Sequence, residues 1–367
     1  MQMIKSKNIF FKVLLLLLLI GQVFLNFNFG SIVAYASAES TVMSKIGISE
    51  ENYSEDMKNI VEPFINERLE SGYIAGEEDV QLYYEKYSAG DAKGNVVISH
   101  GYTESLEKYH EAIYYFLNNG YNVFGIEHRG HGRSGSLGVA DKTQIYVKDF
   151  NQYIEDLKTF MDEVVVPNSQ DKKIFLFAHS MGGEIGAKFL EDYPEYFDAA
   201  VLNAPMLEVD TGNVPSFIAK IIVKVSVALG MDGDYVIGKG PYKGGEYDVN
   251  SIGTSCVNRY EYVHDIVTSN EIFQKGDCAN NWLNESFKAT KETVKKENAA
   301  KVKVPVILFQ AGQDTYVRPG GQNKFAEGAE NCKLIRIEEA RHEIYMERDE
   351  IQKPYFEEIF KFYSENL

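Results

Sequence analysis

The chain has 367 residues, room for one large domain or two small ones, and its 44% hydrophobic and 25% charged residues are those of a globular protein rather than a disordered one. Its 54 acidic side chains against 37 basic ones give a formal charge of −17, a surface that repels nucleic acid and needs another reason to approach an anionic membrane. The three cysteines, Cys256, Cys278 and Cys332, show no metal-ligand spacing, and their odd number argues against a disulfide framework; a single bridge, if present, would join Cys256 to Cys278.

Residues 1–38 read as a secretory signal peptide. Lys5, Lys7 and Lys12 form a basic lead, residues 13–25 are nearly all apolar, and Ala36-Ser37-Ala38 is a small-residue cleavage site. The rival reading is an uncleaved membrane anchor, since apolar character trails on through Phe27, Phe29, Ile32 and Val33. Cleavage after Ala38 removes three lysines and no acid, so the mature chain carries −20 and is expected outside the cell. No cysteine follows the apolar run in a position for lipidation, and no later run is long and uncharged enough to span a bilayer.

Residues 39–78 are expected to be a lead-in, with a polar helix over 51–78 carried by Met57, Ile60, Val61, Phe64, Ile65 and Leu69. From there strands and helices alternate. Strands are predicted at 80–87, 95–99, 121–126, 173–177 and 199–202, with helices at 105–118, 147–164 and 181–192 between them. The alternation breaks over 205–300 and resumes with strands at 304–310 and 333–337 and helices at 322–328 and 351–364. The pattern predicts an α/β fold with a mainly parallel central sheet and helices on both faces. Residues 79–204 and 301–367 form the two parts of that core, and 205–300 an inserted cap over the carboxyl ends of its strands, where ligands of such sheets bind. Within the cap, 214–231 is an apolar stretch with Phe217, Ile218, Ile221, Ile222, Val225 and Leu229. It reads as a helix packed on the core, or else as a lid for acyl chains or a lipid surface. Trp282 and its aromatic neighbours are candidates for the same pocket.

The chemistry begins at FAHSMGGEI, where Ser180 follows an apolar strand and precedes a helix. Small residues at Ala178 and Gly182 suit the sharp elbow that projects a nucleophilic hydroxyl, although the first position is glycine in the usual form of this motif. A serine nucleophile needs a base, and the base an orienting carboxylate. Of the histidines after Ser180, His342 follows a strand whereas His264 lies in the cap. Asp314, in VILFQAGQDTYV, follows a strand between Ser180 and His342; Glu208 and Asp210 are the weaker acid candidates. The order Ser180, Asp314, His342 is that of the elbow hydrolases. An oxyanion hole would take one backbone N–H from Met181 and another from Tyr102, in the loop SHGYTES. In EHRGHGRSG, His128 and His131 find no third metal ligand, and the glycines form no dinucleotide fingerprint. That loop reads as a rigid support organised by Arg129.

The set SHGYTES, EHRGHGRSG, AHSMGGEI, LNAPM, QAGQDTYV and ARHEIYMERDE, together with the helix FNQYIEDLKTFMDEV, resembles the bacterial lysophospholipases of the monoglyceride-lipase-like group of α/β hydrolases. The likeness runs in order from about Tyr53 to the C-terminus. It implies the α/β-hydrolase fold and a serine esterase that works without cofactor or metal, through an acyl-Ser180 that water attacks with help from His342. Asp314 would orient His342, and Tyr102 and Met181 would donate backbone N–H groups. The implied substrate is a lysophospholipid or monoacylglycerol, with peripheral membrane contact through the cap and no role for nucleic acid. A monoacylglycerol lipase or broad carboxylesterase uses the same machinery, and so does an acyltransferase. A non-catalytic lipid- or partner-binding protein on this fold is the alternative of a different kind, against which an intact Ser, Asp and His weigh. The leader departs from the many relatives that look intracellular, and the cap matches least well.

Overall fold

The computed structural model describes residues 43–367; the predicted signal peptide lies outside the described residues. The chain divides into two compact units, Met1–Lys45 and Ile46–Leu367. Of the first, the description covers only the start of the helical turn Met43–Ile46. No helix among the described residues is long and apolar enough to cross a membrane.

The second unit is built on one eight-stranded sheet: β1 (Leu69–Ala75), β2 (Gln81–Tyr87), β3 (Gly94–Ser99), β4 (Tyr121–Ile126), β5 (Ile174–His179), β6 (Ala199–Asn203), β7 (Val306–Ala311) and β8 (Cys332–Ile337). Their spatial order is β1-β2-β4-β3-β5-β6-β7-β8, antiparallel at β1/β2 and β2/β4 and parallel from β4 onward. The five strands β3 to β7 are buried along their whole length, as parallel strands covered on both faces must be.

Alternation along those strands assigns side chains to two layers. Val97, Leu176, Leu202 and Leu308 face a core shared with α2 (Asn151–Phe160) and α3 (Met181–Asp192). On the other face, aromatic rings interlock the sheet with α1 (His110–Asn118) and α8 (Asp349–Glu365). Phe177 meets Phe116 edge-on at 5.3 Å and Phe175 stacks on Tyr363 at 4.6 Å, while the Tyr363 hydroxyl donates to the Leu176 carbonyl. Between β6 and β7 lie α4 (Ser216–Ala228), α5 (Val257–Ser269) and α6 (Asn280–Thr293), and α7 (Pro319–Gly328) connects β7 to β8.

Three expectations are corrected. The lead-in is not helical to residue 78: its helical turns, Tyr53–Asp56, Met57–Val61 and Glu62–Asn66, stop before β1. β1 is an edge strand with only Ile74 buried, so its sequence carries almost no period-two signal, and Gly72 lies directly against the Tyr84 ring. In α4, Val223 and Ser226 are the buried residues while Phe217 is 67% and Leu229 70% exposed, so most of its apolar face is not packed on the core. Cys256 and Cys278 are both free thiols. Cys256 precedes α5 beside Arg259, whereas Cys278 lines a cavity with Tyr102, so the two serve different neighbourhoods.

Candidate active site

Ser180 stands between the last residue of β5 and the first of α3 with φ 53° and ψ −115°. A non-glycine residue in this region stores roughly 1–3 kcal/mol of backbone strain and persists only where its surroundings over-determine it. They do so here. Ser180 N–H donates to the Asn203 carbonyl at 3.0 Å, and the Ser180 carbonyl accepts from Met206 at 2.8 Å and Glu184 at 3.1 Å. The following residues must be small: a Cβ on Gly182 would sit 2.2 Å from the Ser99 carbonyl oxygen, and one on Gly183 2.7 Å from Pro205 Cβ. Ala178, where the motif usually has glycine, packs its methyl against Gly186.

The structure brings the three predicted side chains together. His342, in the loop after β8, has Nε2 2.8 Å from Ser180 Oγ and Nδ1 2.7 Å from Asp314 Oδ2. Asp314, just past β7, also accepts from the backbone N–H groups of Tyr316 at 2.8 Å and Val317 at 3.0 Å. Burial works to raise its pKa, yet His342 and those two N–H groups hold the carboxyl below its ordinary value. The weaker candidates make other contacts, although Asp210 lines the Ser180 cavity. Asp210 pairs with Arg318 at 3.2 Å, Glu208 lies against Gly320, and His264 stacks on Tyr260 within α5.

Met181 N–H opens α3, where a helix leaves its first amides without internal acceptors. Tyr102 borders the same cavity as Ser180 from the loop after β3. Among the described residues neither N–H has an acceptor, so both are free for a ligand oxygen. The loop closes tightly because a Cβ on Gly101 would meet Glu104 Oε2 at 2.7 Å and His179 Nδ1 at 2.9 Å.

Glu104, His179 and Lys108 are functional-site residues that sequence reasoning missed. Buried Glu104 accepts from Gly101 N–H (2.6 Å), the Tyr109 hydroxyl (2.6 Å), Lys108 Nζ (2.9 Å) and the Tyr345 hydroxyl (3.1 Å). Burial pushes its pKa up, but Lys108, His179 and Tyr109 outweigh this and leave it well below the usual carboxylate range. His179 then bridges Glu104 (Nδ1, 3.3 Å) to the His342 carbonyl (Nε2, 3.2 Å), tying the loop that makes the oxyanion pocket to the loop that carries His342. The only sequence trace is the Glu104–Lys108 spacing of four, on a segment where helical pairing is ordinary.

EHRGHGRSG lies behind the Tyr102 loop, where His131 meets the Tyr102 ring edge-on at 6.3 Å. Arg129 makes a buried two-pronged pair with Asp156, Nε–Oδ2 at 2.6 Å and Nη2–Oδ1 at 2.7 Å, and donates to the Glu77 carbonyl. His100, His128 and His131 pack together, and burial lowers the pKa of each, His100 to about 4. They are neutral polar fillers: His128 donates its backbone N–H to His100 Nε2 at 2.9 Å. Among the described residues no group of three or more His, Cys, Asp or Glu is arranged to hold a metal ion.

Ser180 and His342 open into a cavity of about 350 Å³ lined also by Met206, Val209, Trp282 and Leu283. Val209, Val236 and Leu283 are shared with a second, more apolar cavity of about 430 Å³ that reaches Ile222 and Ile237. A hydroxyl, an imidazole and a carboxylate in hydrogen-bond series beside two free backbone N–H groups can perform nucleophilic acyl transfer.

A family model described as "Serine aminopeptidase, S33" matches residues 90–349. The chain belongs to this α/β-hydrolase family. Within reach of the family is lysophospholipase L2 of Escherichia coli (strain K12), 30% identical over 299 residues that cover 79% of this chain and 86% of that protein. Monoacylglycerol lipase of Mycolicibacterium smegmatis is 31% identical over 156 residues, 42% of this chain and 53% of that one. A solved structure of a soluble variant of monoglyceride lipase from Saccharomyces cerevisiae, in complex with a substrate analog, shares the fold with a TM-score of 0.65 at 18% identity, covering 81% of this chain and 95% of that one. The family match includes β3, the elbow, Asp314 and His342, and also the helices between β6 and β7.

Proposed function

We propose that this family member is a serine hydrolase that cleaves the carboxylic ester of a single-acyl lipid, a lysophospholipid before a monoacylglycerol. The observation that carries the reading is the Asp314–His342–Ser180 series opening into a cavity that joins charged residues such as Lys108 and Asp210 to apolar Met206, Val209, Trp282 and Leu283. Ser180 Oγ attacks the ester carbonyl as His342 Nε2 takes its proton. The oxyanion is met by the N–H groups of Tyr102 and Met181, and Asp314 stabilises the imidazolium. His342 protonates the departing alcohol, then activates the water that releases fatty acid from acyl-Ser180. No step calls for a metal or a cofactor. The acyl chain runs from Met206 and Leu283 toward Ile222 and Ile237. The apolar face of α4 meets the membrane from which substrate is drawn, and the leader directs the enzyme out of the cell.

The lysophospholipid preference is supported by lysophospholipase L2 of Escherichia coli, aligned over 79% of this chain, while the Mycolicibacterium lipase favours monoacylglycerol as the second reading. The test is fatty-acid release by the purified protein from lysophosphatidylcholine, monooleoylglycerol and a short-chain nitrophenyl ester, with Ser180→Ala as control. The variant is expected to stay folded and to lose at least about a thousandfold in kcat. Turnover retained by Ser180→Ala would sink the mechanism. Preference for the neutral lipid would move the assignment to the second reading, transfer to an alcohol in place of water would make the protein an acyltransferase, and silence from a folded wild type would favour a binding protein.

A further inference from the structure

A further cavity of about 270 Å³ opens beside Ser180's own and shares Thr103, Glu104 and Lys108 with it. Its wall is aromatic. The rings of Tyr247, Tyr260 and His264 cluster with centroids 4.6, 5.0 and 5.7 Å apart. Besides Glu104 and Lys108, two charged residues line the same space, Glu246 and Lys275, and among the described residues neither is within ion-pair distance of an opposite charge. Lys275 Nζ donates to the Gly135 carbonyl at 3.0 Å. Its neighbour Lys108, by contrast, is neutralised by Glu104 at 2.9 Å and Glu343 at 2.6 Å.

A partly buried Lys275 that feels the Glu127 carboxylate without pairing with it is out of keeping with a chain of net charge −17, in which acidic partners are plentiful. Burial lowers the Lys275 pKa, which marks the desolvation that a bound anion would offset. A cation and an anion that line one cavity with a ring cluster suit a ligand carrying both charges. Phosphate is held by an ammonium through charge-assisted hydrogen bonds, and a quaternary ammonium is held by aromatic faces. Uncharged glycerol could offer these groups only hydroxyl hydrogen bonds, with neither an anion for the ammonium nor a cation for the rings.

We propose that this cavity is the head-group subsite for a zwitterionic phosphate ester, with the phosphate on Lys275 and the quaternary ammonium among Tyr247, Tyr260 and Glu246. The proposal rests on the reading of Ser180 as the nucleophile of a single-acyl lipid hydrolase. It gives that reading a physical basis for choosing a lysophospholipid over a monoacylglycerol.

The test uses the full mature protein, wild type, Lys275→Met and Tyr260→Leu, each checked for folding by circular dichroism. One arm measures kcat/KM on lysophosphatidylcholine relative to monooleoylglycerol. The other measures inhibition of nitrophenyl butyrate hydrolysis by glycerophosphocholine, with glycerol as the uncharged comparison. Glycerophosphocholine should inhibit the wild type and glycerol should not. In both variants the inhibition constant should rise, and the lysophospholipid-to-monoacylglycerol ratio fall, by about tenfold or more. A ratio and inhibition constant unchanged in the folded variants would overturn the subsite, as would a loss that strikes both lipids in step. A wild type that hydrolyses no ester would instead overturn the underlying reading, so the two failures are distinguishable. Should one variant not fold, the other still decides.

Discussion

Glu104 shows how much of the site is held by a residue with no part in the chemistry. Its carboxylate accepts from four donors, Gly101 N–H, Lys108 and the Tyr109 and Tyr345 hydroxyls, and also meets His179 Nδ1 at the end of β5. Glu104→Gln would turn an amide NH₂ toward that set, leaving donor against donor and Lys108 with half its counter-charge. The variant should lose about 3 kcal/mol of stability at neutral pH, the scale of a broken buried pair. Its kcat should drop as well, because His179 no longer fixes the His342 carbonyl. The sign with pH follows from a depressed carboxylate. The stability Glu104 contributes is complete above its ordinary value of 4.5 and is lost as pH falls through its lower folded value. Urea midpoints should therefore separate wild type from variant most at neutral pH and converge in strong acid. A separation that stays constant across that range would remove Glu104's charge from the account.

At the scale of elements, α3 is a tight joint, since its first turn crosses the end of β3 with no room for a side chain at Gly182. The same helix buries Glu184, whose carboxyl accepts from Thr293 at 2.7 Å and has no ion-pair partner among the described residues. Burial pushes its pKa up to about 8. Between 4.5 and about 8 the folded protein therefore keeps a proton that the unfolded chain has released, and stability falls as pH rises through that window. Glu184→Gln keeps the shape and removes the titration. It should match the wild type near pH 5 and exceed it near pH 9, by about 1.4 kcal/mol per unit of pKa elevation. Thermal midpoints at the two pH values check this; equal gaps at both would place the carboxyl outside the helix interface. The strands of this layer were legible because β3 to β7 are buried on both faces and so read as unbroken apolar runs. β1 was not, because an edge strand with one buried residue leaves the pattern of the preceding helix to run on unopposed. α4 was legible as a helix, but packed and exposed readings stayed open: apolar periodicity records a face, not what covers it.

Over the whole molecule, the legible part of the site was the part that strand ends impose. Ser180, Asp314 and His342 each follow a strand of one parallel sheet, so chain order alone brought them to one edge. Glu104 and His179 depend on contacts between distant segments, which no local spacing encodes, and Tyr247 comes from another segment to the Tyr260–His264 pair of α5. The largest tension at this scale is between charge and exposed apolar surface. A net −17 should keep the protein off anionic bilayers, yet Phe217, Ile221 and Leu229 stand exposed along α4, beside the mouth of the apolar cavity. None of the three lines that cavity, so they can be changed without reshaping it. The triple variant Phe217→Gln, Ile221→Gln, Leu229→Gln keeps helix-forming residues and removes the apolar face. At about 1 kcal/mol for each side chain no longer buried in lipid, binding to phosphatidylcholine vesicles should weaken on the order of a hundredfold. Hydrolysis of vesicle-borne substrate should fall relative to that of a soluble short-chain ester. Vesicle flotation with a parallel activity assay measures both. Because the contact is apolar, raising the salt should leave wild-type binding nearly unchanged. Binding that survived the triple variant but vanished in salt would instead assign the contact to Lys220 and Lys224, the two charges on the same helix.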